Sequence, residues 1–424
     1  MKPRSHFLLS TFGSLGDLHP YIAVGIGLRD RGHRVTIATS ADYRSKVEGE
    51  GLNFHPVRPD IGVLAADPAV MAKAFHPRTG TEYVMRSMFL PWLEQSYEDL
   101  CGIAADADLI VGHPIAFATP IVAEMLGKRW ISVALQPSVM LSAFDPPTIS
   151  GYPFLERFRN WGPRFWGQFF KVARSVARPW GNPINELRRK LGLGEVRDPV
   201  LDSMFSPYGT QAWFSRVLAR PQPDWPWNTT ITGFPFYDKL APRQGLSAEL
   251  AEFLKAGSAP LVFTLGSSAV FDAGQFYEES AKAARILRRR AVLLIGNDPR
   301  NQPGHALPDG VIAANYAPYS ELFPRAAAVV HQGGAGTTAQ ALRAGVPMCV
   351  VPHGHDQPDY ARRCVSLGVG KVVPRHRYRS SRVAKELEGL LSNAACHAAA
   401  AAAAAEIAKE DAIAAACDGL ECAI

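Results

Sequence analysis

The sequence predicts an α/β protein that contains two open parallel sheets in series. Short apolar and β-branched runs alternate with longer helical patterns along the whole chain, as in parallel sheets covered by helices. This alternation occurs twice, on either side of a proline-rich stretch, and 424 residues are too many for one ordinary core. We therefore expect two domains of similar architecture joined by a linker.

The first domain is predicted to span residues 1–220. Its first helix should begin near Pro20, because proline is favourable at a first helical position. Five strands are expected here: Phe7–Thr11, Arg34–Thr39, Asn53–Val57, Asp108–Gly112 and Trp130–Leu135.

Residues 221–244 are predicted to be the linker, because prolines recur there at positions 221, 223, 226, 235 and 242. Residues 397–424 are rich in alanine, the best helix former, so a C-terminal helix is favoured over disorder. Between them, residues 245–396 form the second domain. Its predicted strands are Leu261–Leu265, Ala291–Ile295, Val311–Ala314, Ala328–His331, Pro347–Val351 and Lys371–Val373.

Composition excludes several classes of protein. The six cysteines are scattered without a CxxC pair, which argues against structural zinc and a disulfide framework. The net charge of +6 suits a protein that holds an anionic nucleotide or contacts an anionic membrane, but no nucleic-acid-binding motif is present. Because no run of 18 apolar residues occurs, we expect a cytoplasmic protein, with peripheral contact at the inner membrane as a further expectation.

The segment Thr11–Pro20 lies between the first strand and the first helix, where open α/β sheets bind ligands. Gly13 and Gly16 allow a tight turn and leave room for a substrate. Asp17 and His19 would then project into a site at the start of the helix. The alternative is that Asp17 only caps this helix and His19 lies at the surface.

A second strand, glycine-rich turn and helix fall at His331–Thr338, with the sequence His-Gln-Gly-Gly-Ala-Gly-Thr-Thr. Backbone N–H groups and hydroxyls at a helix N-terminus form an anion site, so this turn is predicted to hold a pyrophosphate. It is neither a Walker loop nor a dinucleotide fingerprint. The alternative is that its glycines only pack the helix against the sheet.

Three further segments follow predicted strands of the second domain and would face the same crevice. Pro352–Pro358 contains Asp356 and Gln357, which suit sugar hydroxyls, although Asp356 could instead cap a helix. Gly266-Ser267-Ser268 follows Leu261–Leu265. Tyr316–Leu322 offers an aromatic ring for a nucleobase. A metal site is not expected, because Asp106-Ala-Asp108 precedes its strand and so lies at the amino edge of the sheet.

These five segments, with Gly345-Val-Pro347, resemble in order and spacing the GT-B nucleotide-sugar glycosyltransferases of family 1 over nearly the whole chain. Gly13–Pro20, Asp224–Pro226, Thr232–Pro235 and Leu261–Thr264 look closest to bacterial rhamnolipid-type rhamnosyltransferases. Sterol, glycopeptide and macrolide glycosyltransferases look more distant.

The resemblance implies two facing Rossmann-like domains and an inverting, metal-independent hexosyltransferase. It would transfer glucose or rhamnose from a UDP- or dTDP-sugar, a co-substrate and not a cofactor, to a hydroxyl of an apolar small-molecule or lipid acceptor. By position, Asp17 is the catalytic base. The helix dipole, backbone N–H groups and His331 would supply fixed positive potential for the departing diphosphate. The acceptor residues in the N-terminal domain would be His19, Phe89, Met140 and Phe144. The donor residues would be Gly16, Ser267, Ser268, Tyr316, Ala317, His331, Gln332, Gly333, Gly334, Gly336, Thr337, Thr338, Asp356 and Gln357.

The chain departs from the family pattern at two positions. Many members carry a glutamate that holds both ribose hydroxyls where this chain has Gln340, which leaves a deoxythymidine donor open. Where plant members carry an aspartate that supports a catalytic histidine, this chain has His113. An inverted catalytic pair, Asp17 with His113, is one interpretation, and an uninvolved pocket histidine is the other.

The stretch Tyr152–Trp180 contains nine aromatic and six basic residues. Its aromatics recur every three or four residues, although Pro163 should interrupt the helix. It could be a core-facing helix, a wall of the acceptor pocket or a surface resting on a membrane. For the whole protein, a sugar-nucleotide 2-epimerase and a catalytically silent binding protein remain the alternative functions.

Overall fold

The computed structural model describes residues 4–65, 67–238 and 245–424. Within them the chain forms two wholly parallel sheets, one of seven strands and one of six. The strands of the first sheet are β1 His6–Ser10, β2 Arg34–Thr39, β3 Asn53–Pro56, β4 Leu109–Gly112, β5 Trp130–Ala134, β6 Thr210–Ala212 and β7 Thr229–Ile231. The strands of the second sheet are β8 Leu261–Thr264, β9 Ala291–Leu294, β10 Val311–Ala314, β11 Ala328–His331, β12 Met348–Val350 and β13 Gly370–Val372.

Helices connect the strands and cover both faces of each sheet. The helices of the first domain are α1 Leu15–Asp30, α2 Arg44–Gly49, α3 Ile61–Ala65, α4 Pro68–Ala74, α5 Gly80–Tyr83, α6 Leu93–Ala105, α7 Ala118–Met125, α8 Gly162–Ala177 and α9 Asn182–Lys190. Those that follow are α10 Ala248–Lys255, α11 Phe276–Leu287, α12 Tyr319–Leu322, α13 Ala335–Arg343, α14 Gln357–Ser366, α15 Ser380–Leu391, α16 Ala394–Ile407 and α17 Ala412–Glu421.

Both sheets have the doubly wound order of Rossmann-like domains. The first runs β3-β2-β1-β4-β5-β6-β7 and the second β10-β9-β8-β11-β12-β13. The inner strands are almost completely buried, as expected for parallel sheets with helices on both faces, whereas the edge strands β3, β7, β10 and β13 are partly exposed. In each sheet the order reverses between two central strands, β1 and β4 or β8 and β11. Ligands bind outside the carboxyl ends of the strands at such reversals.

All eleven predicted strands are present, with ends that differ by no more than two residues, but β6 and β7 were missed. Each has only three residues, too few to show a periodic pattern. β7 pairs with β6 inside the segment predicted to be the linker, so the first sheet extends further along the chain than expected. Residues 239–244, the end of that predicted linker, lie outside the described residues.

The first helix begins at Leu15, so its predicted start near Pro20 is wrong. The reason is a capping box: the Ser14 hydroxyl accepts from the backbone of the first turn, and the Asp17 carboxylate accepts from the Ser14 backbone. The predicted single C-terminal helix is likewise two helices, α16 and α17, with Asp411 capping the second. α17 returns to the first domain, where Arg31 pairs with Asp418 and the Gln211 side-chain amide donates to Ala416 O at 3.0 Å.

The two domains are in close contact. Met71 and Phe75 of the first domain pack into an apolar cluster of the second. Tyr360, in α14, donates its hydroxyl hydrogen to the Leu135 carbonyl after β5 at 2.9 Å. Among the described residues no single helix is long and apolar enough to cross a membrane; by length and composition alone, Ser380–Leu391 with Ala394–Glu421, bent by 73°, would pass as a pair.

Candidate active site

The two strand-order reversals face each other across the interface between the domains. The loop after β1 carries Asp17 and the residue after β4 is His113. On the other side, the loop after β11 leads into α13. A Cβ atom added to Gly336 would lie 3.7 Å from the Gly16 Cα atom, so the starts of α1 and α13 nearly touch. The topology thus brings the two glycine-rich segments predicted from sequence to one cleft.

Asp17 has two roles in the structure, one per carboxylate oxygen. Its Oδ2 accepts the Ser14 backbone N–H at 2.7 Å, which is the capping role considered from sequence. Its Oδ1 lies 3.6 Å from Nε2 of His113, and 30% of the Asp17 side chain is exposed. The capping interaction therefore fixes the carboxylate and leaves one oxygen towards the cleft.

His113 is nearly buried and oriented towards Asp17. Its Nδ1 accepts the backbone N–H of Ile115 at 3.4 Å, so in the neutral ring the proton resides on Nε2, the atom that faces Asp17. The Tyr21 ring packs edge-on against it at 6.1 Å. The inverted pair inferred from sequence is thus brought together in space, while its role in catalysis stays a prediction.

The loop before α13 has a backbone geometry that suits an anion. Gly333 has φ +90°, and a Cβ there would lie 2.7 Å from a Val350 methyl, so only glycine fits without strain. Gly334 is the N-cap of α13 and offers no side chain to satisfy the first-turn N–H groups. Those N–H groups and the positive end of the helix dipole are therefore free to bind an anion.

His331 does not play the electrostatic part predicted for it. Its side chain is completely buried, and burial lowers its pKa to about 3, so the ring is neutral. Its Nδ1 accepts the Gly333 N–H at 3.1 Å and its Nε2 lies 3.5 Å from the Met348 sulfur. The expectation that this histidine adds positive potential is wrong; it positions the glycine loop instead.

Asp356 and Gln357 lie at the start of α14, on the cleft side. The Gln357 side-chain oxygen accepts the backbone N–H groups of His353 at 2.8 Å and Gly354 at 3.2 Å, which closes the loop. Burial, and next the negative charge of Asp17, raise the pKa of Asp356 to about 7. The negative charge of Asp17 therefore acts on Asp356 across the cleft. With a pKa of about 7, Asp356 is protonated in a part of the molecules at neutral pH.

The remaining predicted donor residues surround this loop. Ser267 and Ser268 follow β8 and are half-buried, and Tyr316 is 60% exposed, as a ring that stacks on a base would need. Gln332 donates to the Thr337 hydroxyl at 3.4 Å, and Thr338 is buried. Ala317 packs in the core, so only its backbone could reach a ligand.

Buried polar atoms without hydrogen-bond partners gather at both strand-order reversals. In the described part of the chain they include Nε2 of His113 and His19, Oε1 of Gln332 and Oγ1 of Thr338. Buried polar groups are normally satisfied, so such a cluster indicates a place where a ligand or water completes the bonding. This observation supports a substrate site at the cleft independently of any motif.

The predicted acceptor residues are not all at the cleft surface. Burial and the nearby Lys46 charge lower the pKa of His19 to about 3, and its ring lies 4.9 Å from that of Tyr237. Phe89 packs against Phe12 in the core of the first domain, with ring centroids 5.7 Å apart. Met140 is buried in a cluster shared by both domains, whereas Phe144 is 50% exposed. Phe144 is exposed and could contact an acceptor directly. Phe89 and Met140 are buried and could not.

Several residues near the cleft were missed from sequence. Tyr237 and Lys46 pack beside His19, and Tyr43 donates to the Gly13 carbonyl at 3.0 Å. Asp238 was also missed; it accepts at 3.2 Å from the side-chain amide of Gln340. These residues carry no glycine or helix-start signal, so no local pattern indicates that they belong here.

Asp108 accepts the His6 backbone N–H at the amino end of β4, on the sheet edge away from the cleft.

The aromatic segment divides between core and surface. Pro153–Trp161 forms a 3₁₀ helix and α8 begins at Gly162, so the predicted interruption at Pro163 is present. Trp166 and Phe170 are buried in a small cluster, while Trp161 is 60% exposed. The core-facing interpretation is therefore correct for one side of α8 only.

Comparison with known proteins identifies similar sequences and folds. Residues 7–142 match the model of the glycosyltransferase family 28 N-terminal domain. Residues 288–418 match that of the erythromycin biosynthesis protein CIII-like C-terminal domain.

Two curated relatives and one solved structure extend this similarity to the whole chain. An O-mycaminosyltylonolide 6-deoxyallosyltransferase of Streptomyces fradiae is 32% identical, over 96% of this chain and 95% of that protein. A sterol 3-beta-glucosyltransferase of Arabidopsis thaliana is 30% identical over 87% of this chain, which spans 58% of that relative. The structure of glycosyltransferase VinC in complex with dTDP matches with a TM-score of 0.70 at 21% identity, covering 99% of each chain.

Proposed function

Because this chain belongs to the family 1 nucleotide-sugar glycosyltransferases of the GT-B fold, we propose that it is an inverting, metal-independent hexosyltransferase in which Asp17 is the general base. The single observation that carries the proposal is the Asp17 and His113 pair beside the Gly336 helix start. Membership in a transferase family favours sugar transfer over the two alternatives from the sequence, a sugar-nucleotide 2-epimerase and a catalytically silent binding protein.

The donor would bind with its diphosphate at the N-terminus of α13. Gly336 lacks a side chain at the point where α1 and α13 approach, which leaves the N–H groups accessible from the cleft. Tyr316 is exposed for stacking on the base, and Asp356 would bind a sugar hydroxyl. Deoxythymidine is the favoured nucleoside, because Gln340 cannot act as the carboxylate acceptor for two ribose hydroxyls and its amide is already bonded to Asp238. A solved structure of similar fold holds dTDP.

Glucose and rhamnose are the proposed sugars, and the acceptor is proposed to be an apolar molecule with a free hydroxyl. The relatives named above act, by name, on a mycaminosyltylonolide and on sterols, which are different apolar frameworks. In this chain the exposed ring of Phe144 lies on the loop between β5 and α8, beside Asp145, which accepts from Arg363 of α14 in the second domain. A flat apolar surface would be recognised by such a ring through burial of apolar area.

The proposed reaction is one displacement at the anomeric carbon. The acceptor hydroxyl transfers its proton to Asp17 as its oxygen forms a bond to C1, and the bond from C1 to the diphosphate oxygen breaks. His113, with its proton on the nitrogen facing Asp17, orients the carboxylate during this transfer. The charge on the leaving nucleoside diphosphate is stabilised by the N–H groups of α13, fixed donors that need no reorganisation.

The test compares Asp17→Asn with Asp67→Asn. Both aspartates cap helices, and Asp67 accepts the Ala69 N–H at 2.8 Å on the surface. A thermal-shift panel of UDP-, dTDP- and GDP-sugars first identifies a donor that stabilises the protein. Release of nucleoside diphosphate is then measured with that donor and a panel of apolar alcohols, with and without EDTA.

We expect Asp17→Asn to lower turnover by about 100-fold or more while the donor still raises the melting temperature. Asp67→Asn should leave turnover unchanged, because asparagine still caps a helix. Wild-type turnover in Asp17→Asn would remove this residue from the mechanism. Activity lost in EDTA and restored by Mg²⁺ or Mn²⁺ would contradict a metal-independent transfer.

A further inference from the structure

The outer side of α8 is an exposed surface that is both apolar and basic. Its apolar members are Trp161, Val172 and Val176, each at least 60% exposed. Its basic members are Arg157, Arg164 and Lys171, whose side chains are all exposed. Arg157 and Trp161 belong to the 3₁₀ helix Pro153–Trp161 that leads into α8, and we call all six residues the α8 face.

The apolar residues follow a helical stripe. Phe165, Phe169, Val172 and Val176 recur every three or four positions, so they line one side of α8. Trp161, the last residue of the preceding 3₁₀ helix, extends this stripe through its contact with Phe165. Arg164 and Lys171 are seven positions apart and fall together on one flank of that stripe. An apolar stripe with a basic flank is the pattern of helices that lie in a membrane interface.

Aromatic side chains that lead into the protein interior support the stripe. The Trp161 ring packs against Phe165 with centroids 4.8 Å apart, and Phe165 packs against Trp166 at 5.5 Å. Trp166 is buried, and its indole N–H donates to the Phe158 carbonyl at 3.0 Å. Because this support is already formed, an inserted Trp161 side chain would lose little conformational freedom on docking.

The basic residues of the face have free charges. In residues 4–65, 67–238 and 245–424, none of Arg157, Arg164 and Lys171 takes part in an ion pair. The nearest acidic side chain in sequence, Glu156, is bonded to Arg159 and Thr148. The positive potential of the face is therefore not neutralised by its own segment.

We propose that the α8 face docks this enzyme on an anionic lipid bilayer. Single exposed apolar residues are common on protein surfaces. Here an apolar stripe suits the boundary of the acyl chains, and the unpaired basic residues beside it suit anionic headgroups. The inference goes beyond the proposed function, because sugar transfer at the cleft requires no membrane. Its partner is a phospholipid surface, and the contact is peripheral.

One cluster of buried side chains separates the α8 face from the loop between β5 and α8 that carries Phe144. The cluster beneath it includes Ala143, Leu155, Trp166 and Phe170 and packs against Leu141 and Ile149, the two ends of the loop that carries Phe144. Arg159 donates to the Pro146 carbonyl, and the Thr148 hydroxyl donates to Glu156 at 2.7 Å. A docked enzyme would thus hold the exposed Phe144 ring near the bilayer, where an apolar acceptor would be concentrated.

The experiment measures flotation of the full chain with phosphatidylcholine vesicles and with vesicles that contain about one third phosphatidylglycerol. The face variant is Arg157→Glu/Arg164→Glu/Lys171→Glu. Its matched control, Arg285→Glu/Arg289→Glu/Lys385→Glu, changes three exposed basic residues of the second domain. Each triple lowers the formal charge by six, from +6 to 0, so global charge is equal in the two. Trp161→Ser is paired with Ile286→Ser, whose isoleucine is 53% exposed.

We expect the wild type to float with the anionic vesicles at low salt and less at high salt. The face triple should bind at least roughly 100-fold more weakly, since each basic residue near an anionic surface contributes about a fivefold change. Trp161→Ser should bind more weakly as well, and both controls should float like the wild type. Melting temperature and donor-induced thermal shift check that every variant is folded.

Three outcomes would overturn the proposal. One is equal loss of binding in the two triples, which would mean a net-charge effect. Another is full binding by Trp161→Ser, which would show that the apolar stripe does not insert. The last is absence of wild-type binding to anionic vesicles at low salt, which would leave the face to a protein partner.

Discussion

Replacing Asp145 with asparagine should weaken the contact between the two domains by about 1 kcal/mol. Arg363, in α14 of the second domain, is buried and donates to Asp145 at 2.6 Å and to Leu218 O at 3.0 Å, both in the first domain. It also donates to Asp359 at 2.7 Å within its own helix. Burial opposes its charge, but Asp359 and Asp145 outweigh burial and raise the pKa of Arg363.

The magnitude follows from what the substitution leaves in place. The asparagine side chain would still offer an oxygen to Arg363, so a charge-assisted hydrogen bond of about 1.5–3 kcal/mol becomes a weaker bond to a neutral acceptor, and the difference is about 1 kcal/mol. Arg363 keeps Asp359 and Leu218, so the larger penalty for an unpaired buried charge does not arise. Loss of the 3.5 Å pairing between Arg362 and Asp145 adds a few tenths.

The assay is urea unfolding followed by tryptophan fluorescence, with Asp202→Asn as the control. Asp202 pairs with Arg174 on the surface, where its side chain is 53% exposed, so that change should stay within about 0.5 kcal/mol. Because Asp145 adjoins Phe144, the acceptor KM should also rise in Asp145→Asn while donor binding is kept. If the two variants show the same stability and the same KM, the Asp145 network does not hold the domains together.

Two further predictions concern the donor loop. Gly333→Ala combines a φ of +90° with a Cβ only 2.7 Å from a Val350 methyl, so it should destabilise by about 1–3 kcal/mol and abolish the donor-induced thermal shift. Gly32→Ala, with φ +93° and open space around it, should show only the backbone strain and keep donor binding; equal binding by both variants would refute the steric argument. The folded-state pKa of Asp356, about 7, exceeds its ordinary value of 3.8, so its contribution to stability is fully present below that ordinary value and is lost as pH rises through 7. Asp356→Asn should therefore gain on the order of 2 kcal/mol relative to wild type between about pH 5 and 8, and melting curves that keep the same pH dependence would contradict this.

The strands that could be predicted from sequence are those with enough residues to show a pattern. β2, β10 and β11 were predicted with their observed ends, because each is an uninterrupted run between clear turn signals. β7 was not, because three residues are too few to show a pattern and they lie among prolines. Pairing with β6, a tertiary contact that local sequence does not encode, makes this segment a strand.

The candidate site divides in the same way. Asp17 and His113 are 96 positions apart, and the family resemblance suggested the pair. The structure brings them together because both follow strands that are neighbours in the first sheet, at its carboxyl edge. Asp145 and Arg363 lie on a loop and a helix of different domains, and no edge rule relates them. The charge of His331 was also out of reach, because it depends on complete burial and not on the residue type.

Two histidines near the donor loop, His331 and His353, are neutral and add no positive charge for anion binding. Burial lowers the pKa of His331 to about 3, and burial together with the charge of Arg375 lowers that of His353 to about 4. A diphosphate bound at the start of α13 would therefore be held by backbone N–H groups and the helix dipole, whose strength does not depend on pH in the physiological range. The protonation of Asp356 does depend on pH in this range, because its pKa is about 7 and is raised by burial and by the charge of Asp17. If Asp17 is the base proposed above, its negative charge disappears when it takes the proton of the acceptor hydroxyl. The pKa of Asp356 would then fall, and its proton would become easier to release during sugar transfer.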